Sequence, residues 1–218
     1  MSGSSPPIGV ELDTSRLTSA LRRINGARRS SVGSLSRLRQ LIGGFEALLE
    51  AAPQRASREL DGARSLDELE TILTSHGADA GAESLRGFFE PIIDRLIEAL
   101  LNFPERRLAA YGSLLPGKEN HHHVSVLVGE WIDGEVEGIL HIPRWAAKKR
   151  FPGLVWDSSG SPVAVRVFQS AALPESWDRL DEFERGFSYH RSLVPVSTGQ
   201  GTLVCNLYEL SESEAHAE

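Results

Sequence analysis

The stretch Leu173–Gly186, LPESWDRLDEFERG, predicts one short helix inside a part of the chain that otherwise consists of β-type runs. Pro174 suits the first turn of a helix, which is expected to end near Glu184. The surrounding runs are short, apolar and bounded by turn residues. They read LAAYGSL, VSVLVGEW, EVEGILHI, PVAVRVFQ, RSLVPV and TLVCNLYEL. Short strands around a single helix predict a small mixed barrel rather than a parallel sheet.

Two turn signals divide these runs into pairs. They are Ile132-Asp133-Gly134 and Thr198-Gly199-Gln200-Gly201, and each is expected to join two antiparallel strands. The alternation of Val163, Val165 and Val167 predicts a half-buried strand between them.

The first hundred residues predict helices instead. Apolar residues recur at spacings of three and four from Leu35 to Leu49 and again from Leu85 to Leu100. Pro91 lies inside the second pattern and predicts either a kink or a new helix start. Between them, Ser65–Glu68 has the form of a capping box.

The change of pattern between Asn102 and Arg107 predicts the domain organisation. Residues 1–12 are expected to be a disordered lead-in, 13–103 a helical region, 104–210 the barrel domain and 211–218 an acidic tail. The fold class is therefore α+β, a small mixed β-barrel preceded by an α-helical N-terminal region.

Composition and charge narrow the class of protein. Of the 218 residues 40% are hydrophobic and 24% charged, as in globular proteins with a buried core. The net charge of −7 argues against a general nucleic-acid-binding surface. The single cysteine, Cys205, excludes an internal disulfide framework and is expected in the core, which suits a cytoplasmic location. No secretion signal is apparent, and charges interrupt the apolar run Ile92–Leu101, so no membrane span is expected.

Glu184 is unusual because it stands at the C-terminal end of its predicted helix, where the helix dipole is negative. Helical spacing from Trp177 and Leu180 places it on or near the inward face. Burial and the helix dipole would both raise its pKa toward the range of a general base. The alternative is a solvated glutamate neutralised by Arg185 or Arg191.

The segment Tyr111–Gly117, YGSLLPG, predicts a loop with exposed backbone N–H groups after a strand. Such groups can hold a carboxylate or an oxyanion, although a plain turn would look the same. The adjacent His121–His123 does not predict a metal site, because consecutive side chains of an extended segment alternate sides. A polar strand start with one histidine near the site is expected instead. Ser113 with a histidine and Asp181 would form a hydrolase triad, but the Gly-x-Ser-x-Gly elbow is missing.

Several motifs occur in a fixed order over residues 107–210. They are YGSLLPG, NHHHV, GEW, FPGLV, LPESWDRLDEFERG and YHRSLVPV. In this order they resemble a bacterial subgroup of the gamma-glutamylcyclotransferase-like family. The resemblance implies a small closed barrel with flanking helices and a transferase or lyase reaction that releases 5-oxoproline from a γ-glutamyl amine or amino acid. It implies no metal and no organic cofactor, and a small γ-glutamyl molecule as partner; the charge and the interrupted apolar run already argue against nucleic acid and a membrane.

The resemblance also implies roles for individual residues. Glu184 matches the catalytic glutamate, which exchanges protons with the substrate's amine and leaving nitrogen. The loop after the first strand is implied to cradle the γ-glutamyl group, and later residues to contact or support it. The implied substrate-binding residues are Tyr111, Gly112, Ser113, Leu114, Tyr189, Arg191 and Tyr208.

One departure from the family pattern concerns Arg185, which stands between Glu184 and Gly186 where the family has Glu-Gly. It either lengthens the loop without moving Glu184, or it tilts the carboxylate away or pairs with it. The alternative function is therefore a non-catalytic barrel that binds a ligand or protein. The N-terminal helices would then be a partner or regulatory surface; they could equally form a homodimer contact.

Overall fold

The computed structural model describes residues 14–29, 35–51, 67–68, 71, 74, 82–142 and 152–211. The chain folds into two compact units, which meet in sequence at Pro104 and Glu105. The predicted lead-in, the predicted acidic tail after Ser211, and the start of the predicted capping box at Ser65 lie outside the described residues. In the described part of the chain, no helix is both long and apolar enough to cross a membrane.

The first unit is helical in its described part. Helix α1 spans Thr14–Arg29, α2 spans Leu35–Ala51 and α3 spans Ala82–Leu101. Helices α2 and α3 confirm the two apolar patterns, and α3 runs through Pro91 rather than beginning there. Sequence reasoning did not single out α1. Its buried face alternates large side chains with alanine, which weakens the pattern: Leu17, Ala20, Leu21, Ile24 and Ala27.

The second unit contains a mixed sheet, whose strands among the described residues are numbered β1 to β6. They are β1 Arg107–Ala110, β2 Glu130–His141, β3 Gly153–Trp156, β4 Ser161–Gln169, β5 Tyr189–Thr198 and β6 Gly201–Leu210. A 3-10 turn, Pro104–Arg106, precedes β1. The strand order is β3-β2-β4-β1-β6-β5, and β1 pairs with β6 in parallel while the other pairs are antiparallel. The additional pairing of β2 with β5 closes five of these strands into a mixed barrel, as predicted.

The barrel closes at Gly134, which corrects one turn prediction. Ile132-Asp133-Gly134 lies within the long strand β2, and Gly134 faces Thr198 across the β2–β5 pairing. A Cβ at Gly134 would approach the backbone oxygen of Ser197 to 2.9 Å and Val196 Cγ1 to 2.7 Å, so a glycine lets the two strands come this close. The second turn signal is confirmed: Thr198–Gly201 joins β5 to β6, with the Thr198 hydroxyl donating to the Gly201 carbonyl at 2.7 Å.

The run VSVLV is not a strand. It begins in the one-turn helix α4, His122–Ser125, so the predicted strand start at the histidines is wrong as well. Val124 is buried, whereas Val126 and Val128 are 73% and 92% exposed. A strand would place all three on one face, but the helical turn turns only Val124 toward the core.

The predicted helix is confirmed as a 3-10 turn, Pro174–Ser176, followed by helix α5, Trp177–Arg185. Trp177 and Leu180 are buried and pack into a core cluster that includes Tyr208 of β6. Cys205 of β6 is completely buried, in agreement with its prediction as a core residue.

Candidate active site

A cavity of about 110 Å³ opens between the end of β1, the loop after it and helix α5. Since one water needs roughly 10–15 Å³ measured in this way, the space holds a group several waters in size. Seven of the eight predicted site residues line it, and only Arg191 does not. The lining residues from the prediction are Tyr111, Gly112, Ser113, Leu114, Glu184, Tyr189 and Tyr208.

Glu184 lies in the last turn of α5 and is 8% exposed. The helix places it on the same face as Trp177 and Leu180, which are both buried. Burial and, second, the nearby negative charge of Asp181 raise the pKa of Glu184 from 4.5 to about 7. A carboxyl with this pKa accepts and returns a proton near neutral pH.

Arg185 does not turn Glu184 away from the cavity. The extra residue continues α5 by one position, and its side chain is exposed. The chain then turns over Gly186 to Ser188, whose φ is 64°, while the amide N–H of Phe187 donates to the Glu184 carbonyl at 2.9 Å. The lengthening is therefore absorbed beyond Glu184.

Gly112, Ser113 and Leu114 of the loop after β1 line the cavity. Among the described residues, no hydrogen-bond acceptor faces the amide N–H groups of Gly112, Ser113 and Leu114. Asn120 holds this loop twice, because its amide N–H donates to the Ser113 carbonyl at 3.0 Å and its Nδ2 donates to the Ser113 hydroxyl at 2.9 Å. A fixed set of N–H groups beside a cavity can bind a carboxylate or an oxyanion.

The three tyrosines of the cavity differ in the use of their hydroxyls. Tyr111 donates to the Tyr208 carbonyl at 2.8 Å and accepts from the Leu154 amide at 3.1 Å. Tyr208 donates to Asp181 Oδ1 at 2.7 Å. Tyr189 lies 3.3 Å from the Pro152 carbonyl, and burial followed by the Glu184 charge raises its pKa to about 12. Burial also raises the pKa of Tyr111 and that of Tyr208, so all three tyrosines are neutral near pH 7, and all three hydroxyls are hydrogen-bonded within the protein.

Arg191 does not line the cavity and instead forms ion pairs with Glu105 and with Asp181 of α5. Its Nη1 donates to Glu105 Oε2 at 2.7 Å, and its Nε lies 3.0 Å from Asp181 Oδ1. The guanidinium also stacks on Trp177, 4.4 Å from the ring centre. This position favours support of the site over contact with a substrate.

None of the three adjacent histidines lines the cavity. His121 Nδ1 lies 3.0 Å from the Leu114 carbonyl, His122 is exposed and the ring of His123 packs 4.0 Å from Phe183. The hydroxyl of Ser113 accepts from Asn120 and is not bonded to a histidine, so the hydrolase triad, already disfavoured by the missing elbow, does not form. Within the described residues, no group of three or more His, Cys, Asp or Glu is arranged to hold a metal ion.

Sequence reasoning missed part of the cavity wall. The additional lining residues are Ala109, Ala110, Glu119, Asn120, Pro152, Phe183 and Phe187. Asn120 and Pro152 belong to the motifs NHHHV and FPGLV. The order of these motifs supported the family resemblance, but neither residue was assigned a role. Phe183 and Phe187 stand close to Glu184 in sequence. The helical spacing counted from Trp177 identified only the residues on the inward face of the helix, so neither phenylalanine was predicted.

Comparison with known proteins completes the description of the site. A family model described as "Gamma-glutamyl cyclotransferase, AIG2-like" matches residues 108–218. No curated protein matches the sequence significantly.

Similar solved structures cover about half of the chain. YkqA from Bacillus subtilis is 23% identical over 49% of this chain and 36% of its own, with a TM-score of 0.39. The uncharacterized protein PH0828 from Pyrococcus horikoshii is 26% identical over 48% and 76%, with a TM-score of 0.34. An AIG2-like protein from Mus musculus is 22% identical over 51% and 80%, with a TM-score of 0.41. The chain thus spans about a third of YkqA.

The family model, the closed mixed barrel and the ordered motifs point the same way. The matched residues make up just over half of the chain, and they begin in β1, directly before the loop that lines the cavity. The chain belongs to the gamma-glutamyl cyclotransferase, AIG2-like family.

Proposed function

We propose that this chain is a γ-glutamyl cyclotransferase in which Glu184 is the general acid and base. The observation that carries the proposal is the position of Glu184, buried at a cavity that it shares with the Gly112–Leu114 amides. A base with a pKa of about 7 suits an ammonium nucleophile, which has to lose a proton before it can attack.

The reaction begins when the carboxylate of Glu184 removes a proton from the α-ammonium of the γ-glutamyl group. The free α-amine attacks the γ-carbonyl carbon, and the new C–N bond closes a five-membered ring. The tetrahedral intermediate then collapses, and the bond to the original amide nitrogen breaks. Glu184 returns its proton to that nitrogen, and the second proton of the ring nitrogen passes to the released amine. The products are therefore 5-oxoproline and the amine as its ammonium ion, with no net change in protons on the enzyme.

The loop after β1 would stabilise the charge that develops during attack. The N–H groups of Gly112, Ser113 and Leu114 can donate to the γ-carbonyl oxygen as it becomes an oxyanion, or to the substrate carboxylate. Ring closure is intramolecular and has a high effective molarity, so orientation and these donors supply most of what the reaction needs. Tyr189 and Tyr208 would shape the wall around the ring.

The test is incubation of the full chain with a panel of γ-glutamyl amines and γ-glutamyl amino acids, followed by measurement of 5-oxoproline. We expect Glu184→Gln to lower kcat roughly 10²–10⁴-fold, the usual contribution of a general acid or base. Arg185→Ala is the matched control, because Arg185 is the exposed neighbour of Glu184, and it should retain activity.

Two outcomes would contradict the proposal: no 5-oxoproline from any member of the panel, or full activity in Glu184→Gln. A cellular phenotype that survives Glu184→Ala would favour the non-catalytic barrel instead.

A further inference from the structure

One side of the cavity is apolar. Phe183 and Phe187 lie together with ring centres 5.4 Å apart in an edge-on arrangement, and both line the cavity with Pro152. These three residues are called the apolar lip. No polar atom of the lip side chains is available to a ligand, so this side of the cavity can offer only dispersion and burial.

The lip lies outward of the groups proposed to react. Glu184 is 8% exposed, whereas Phe187 is 38% exposed and stands among the exposed large hydrophobic side chains. With the γ-carbonyl between Glu184 and the Gly112–Leu114 amides, the group attached to the leaving nitrogen would extend out of the cavity past the more exposed Phe187.

The two rings of the lip are held in place. Phe183 packs against the ring of His123 at 4.0 Å, and Arg179 fixes that residue by donating to the His123 carbonyl at 2.9 Å. Phe187 follows the end of α5, where its amide N–H is bound to the Glu184 carbonyl. A rigid aromatic surface gives contact area at a low cost in conformational entropy, as expected of a surface that recognises a ligand.

We propose that Phe183 and Phe187 select γ-glutamyl substrates whose released amine carries an aliphatic or aromatic group. This inference rests on the proposed function, because it assigns the lip to the leaving part of the same substrate. Burial of an alkyl or phenyl group against the lip favours such substrates over those with a small or hydroxylated amine.

The experiment compares three γ-glutamyl amides of one series: methylamide, isopentylamide and benzylamide. The expected result with the wild-type chain is a kcat/KM about tenfold higher for the two larger amides than for the methylamide, since burying a side chain of this size is worth at least that factor. Phe187→Ala should reduce this preference severalfold, because it lowers kcat/KM for the isopentylamide and benzylamide more than for the methylamide when one of two aromatic partners is lost. Val128→Ala is the control, because Val128 is exposed and does not line the cavity, and it should leave the preference unchanged.

A second measurement separates this inference from the proposed reaction. Titration of Glu184→Gln with the benzylamide and the methylamide measures binding without turnover, and tighter binding of the benzylamide is expected. Equal kcat/KM for the three amides, with 5-oxoproline formed from each, would overturn the inference and leave the reaction standing. Tighter binding of the benzylamide, together with no 5-oxoproline from the wild-type chain, would support the lip and contradict the reaction. Equal binding of the two amides, with no product from the wild-type chain, would contradict both.

Discussion

The hydroxyl of Tyr208 donates a hydrogen bond of 2.7 Å to Asp181, which lies three residues before Glu184 on helix α5. Arg191 approaches the same carboxylate oxygen with its Nε at 3.0 Å. The carboxylate that raises the pKa of Glu184 is therefore anchored from β5 and β6. The contacts of Tyr208 and Arg191 with Asp181 thus connect β6 and β5 to the helix that carries Glu184, and each contact can be tested separately.

Replacement of Asp181 by Asn tests the charge next to Glu184. The negative charge of Asp181 is the second cause of the raised pKa of Glu184, so its removal should lower that pKa while burial still keeps it above 4.5. Because the base acts in its deprotonated form, the acid limb of the kcat/KM profile should move to lower pH. Arg185→Ala should leave the profile in place, and an unmoved profile in Asp181→Asn would show that the charge does not act on the base.

Glu184 should make the stability of the fold depend on pH. Its folded pKa of about 7 lies above its ordinary 4.5, so between these values the folded state holds a proton that the unfolded state releases. Stability from this group is present below pH 4.5 and is lost as the pH rises to 7, by at most about 3 kcal/mol. Urea unfolding at pH 5 and pH 8 measures the loss. Glu184→Gln should lose less than wild type, and equal losses would place the pKa near its ordinary value.

Arg191→Met should destabilise the barrel unit. The substitution leaves Glu105 and Asp181 without their shared cation in a largely buried position, which costs about 2–4 kcal/mol. Arg166→Met is the matched control, because Arg166 pairs with the exposed Asp133 at 3.1 Å, and a surface pair contributes about 1 kcal/mol or less. The free energy of unfolding in urea measures both, and equal effects would show that the network contributes no more than a surface pair.

Gly112→Ala tests the space in front of the proposed oxyanion donors. A Cβ at Gly112 would meet no atom within 4 Å, and its φ is not in the left-handed region, so the fold should tolerate the methyl group. The methyl group would occupy room at the cavity, and kcat/KM should fall about tenfold or more with little change in Tm, since small displacements at a reacting centre are costly. Gly199→Ala adds a methyl to equally open space in the β5–β6 turn and should leave kcat/KM unchanged. Normal activity in Gly112→Ala would mean that no substrate group lies there.

The errors made from sequence have different physical causes. Ile132-Asp133-Gly134 carries the chemistry of a turn, but Gly134 is required by the approach of β5, which is more than fifty residues away in sequence. Val124 to Val128 alternates like a strand, yet local hydrogen bonds such as the Val124 amide to the His121 carbonyl form a helical turn there. The sequence around Gly134 gives no information about the residues of β5 that pair with it when the barrel closes.

The local part of the site was more accessible to sequence reasoning. Helical spacing from Trp177 predicted Glu184 on or near the inward face of α5 but left a solvated glutamate open, and the family resemblance favoured the buried position that the structure shows. Sequence spacing could not show that Arg191, unlike the other predicted site residues, does not line the cavity. Its placement depends on Glu105 and Asp181, which come from other elements and meet only in the folded barrel unit.

The Tyr111 hydroxyl joins β6 to β3 through the Tyr208 carbonyl and the Leu154 amide, while its own backbone begins the loop that carries the proposed oxyanion donors. That loop is therefore ordered by folding, together with the sheet. A ligand that binds there would not have to immobilise it, so the loss of backbone freedom, ~1–2 kcal/mol per residue, is already contained in the folding free energy. The binding free energy would then come from the contacts with the ligand, and the entropic cost of ordering the loop would reduce it very little.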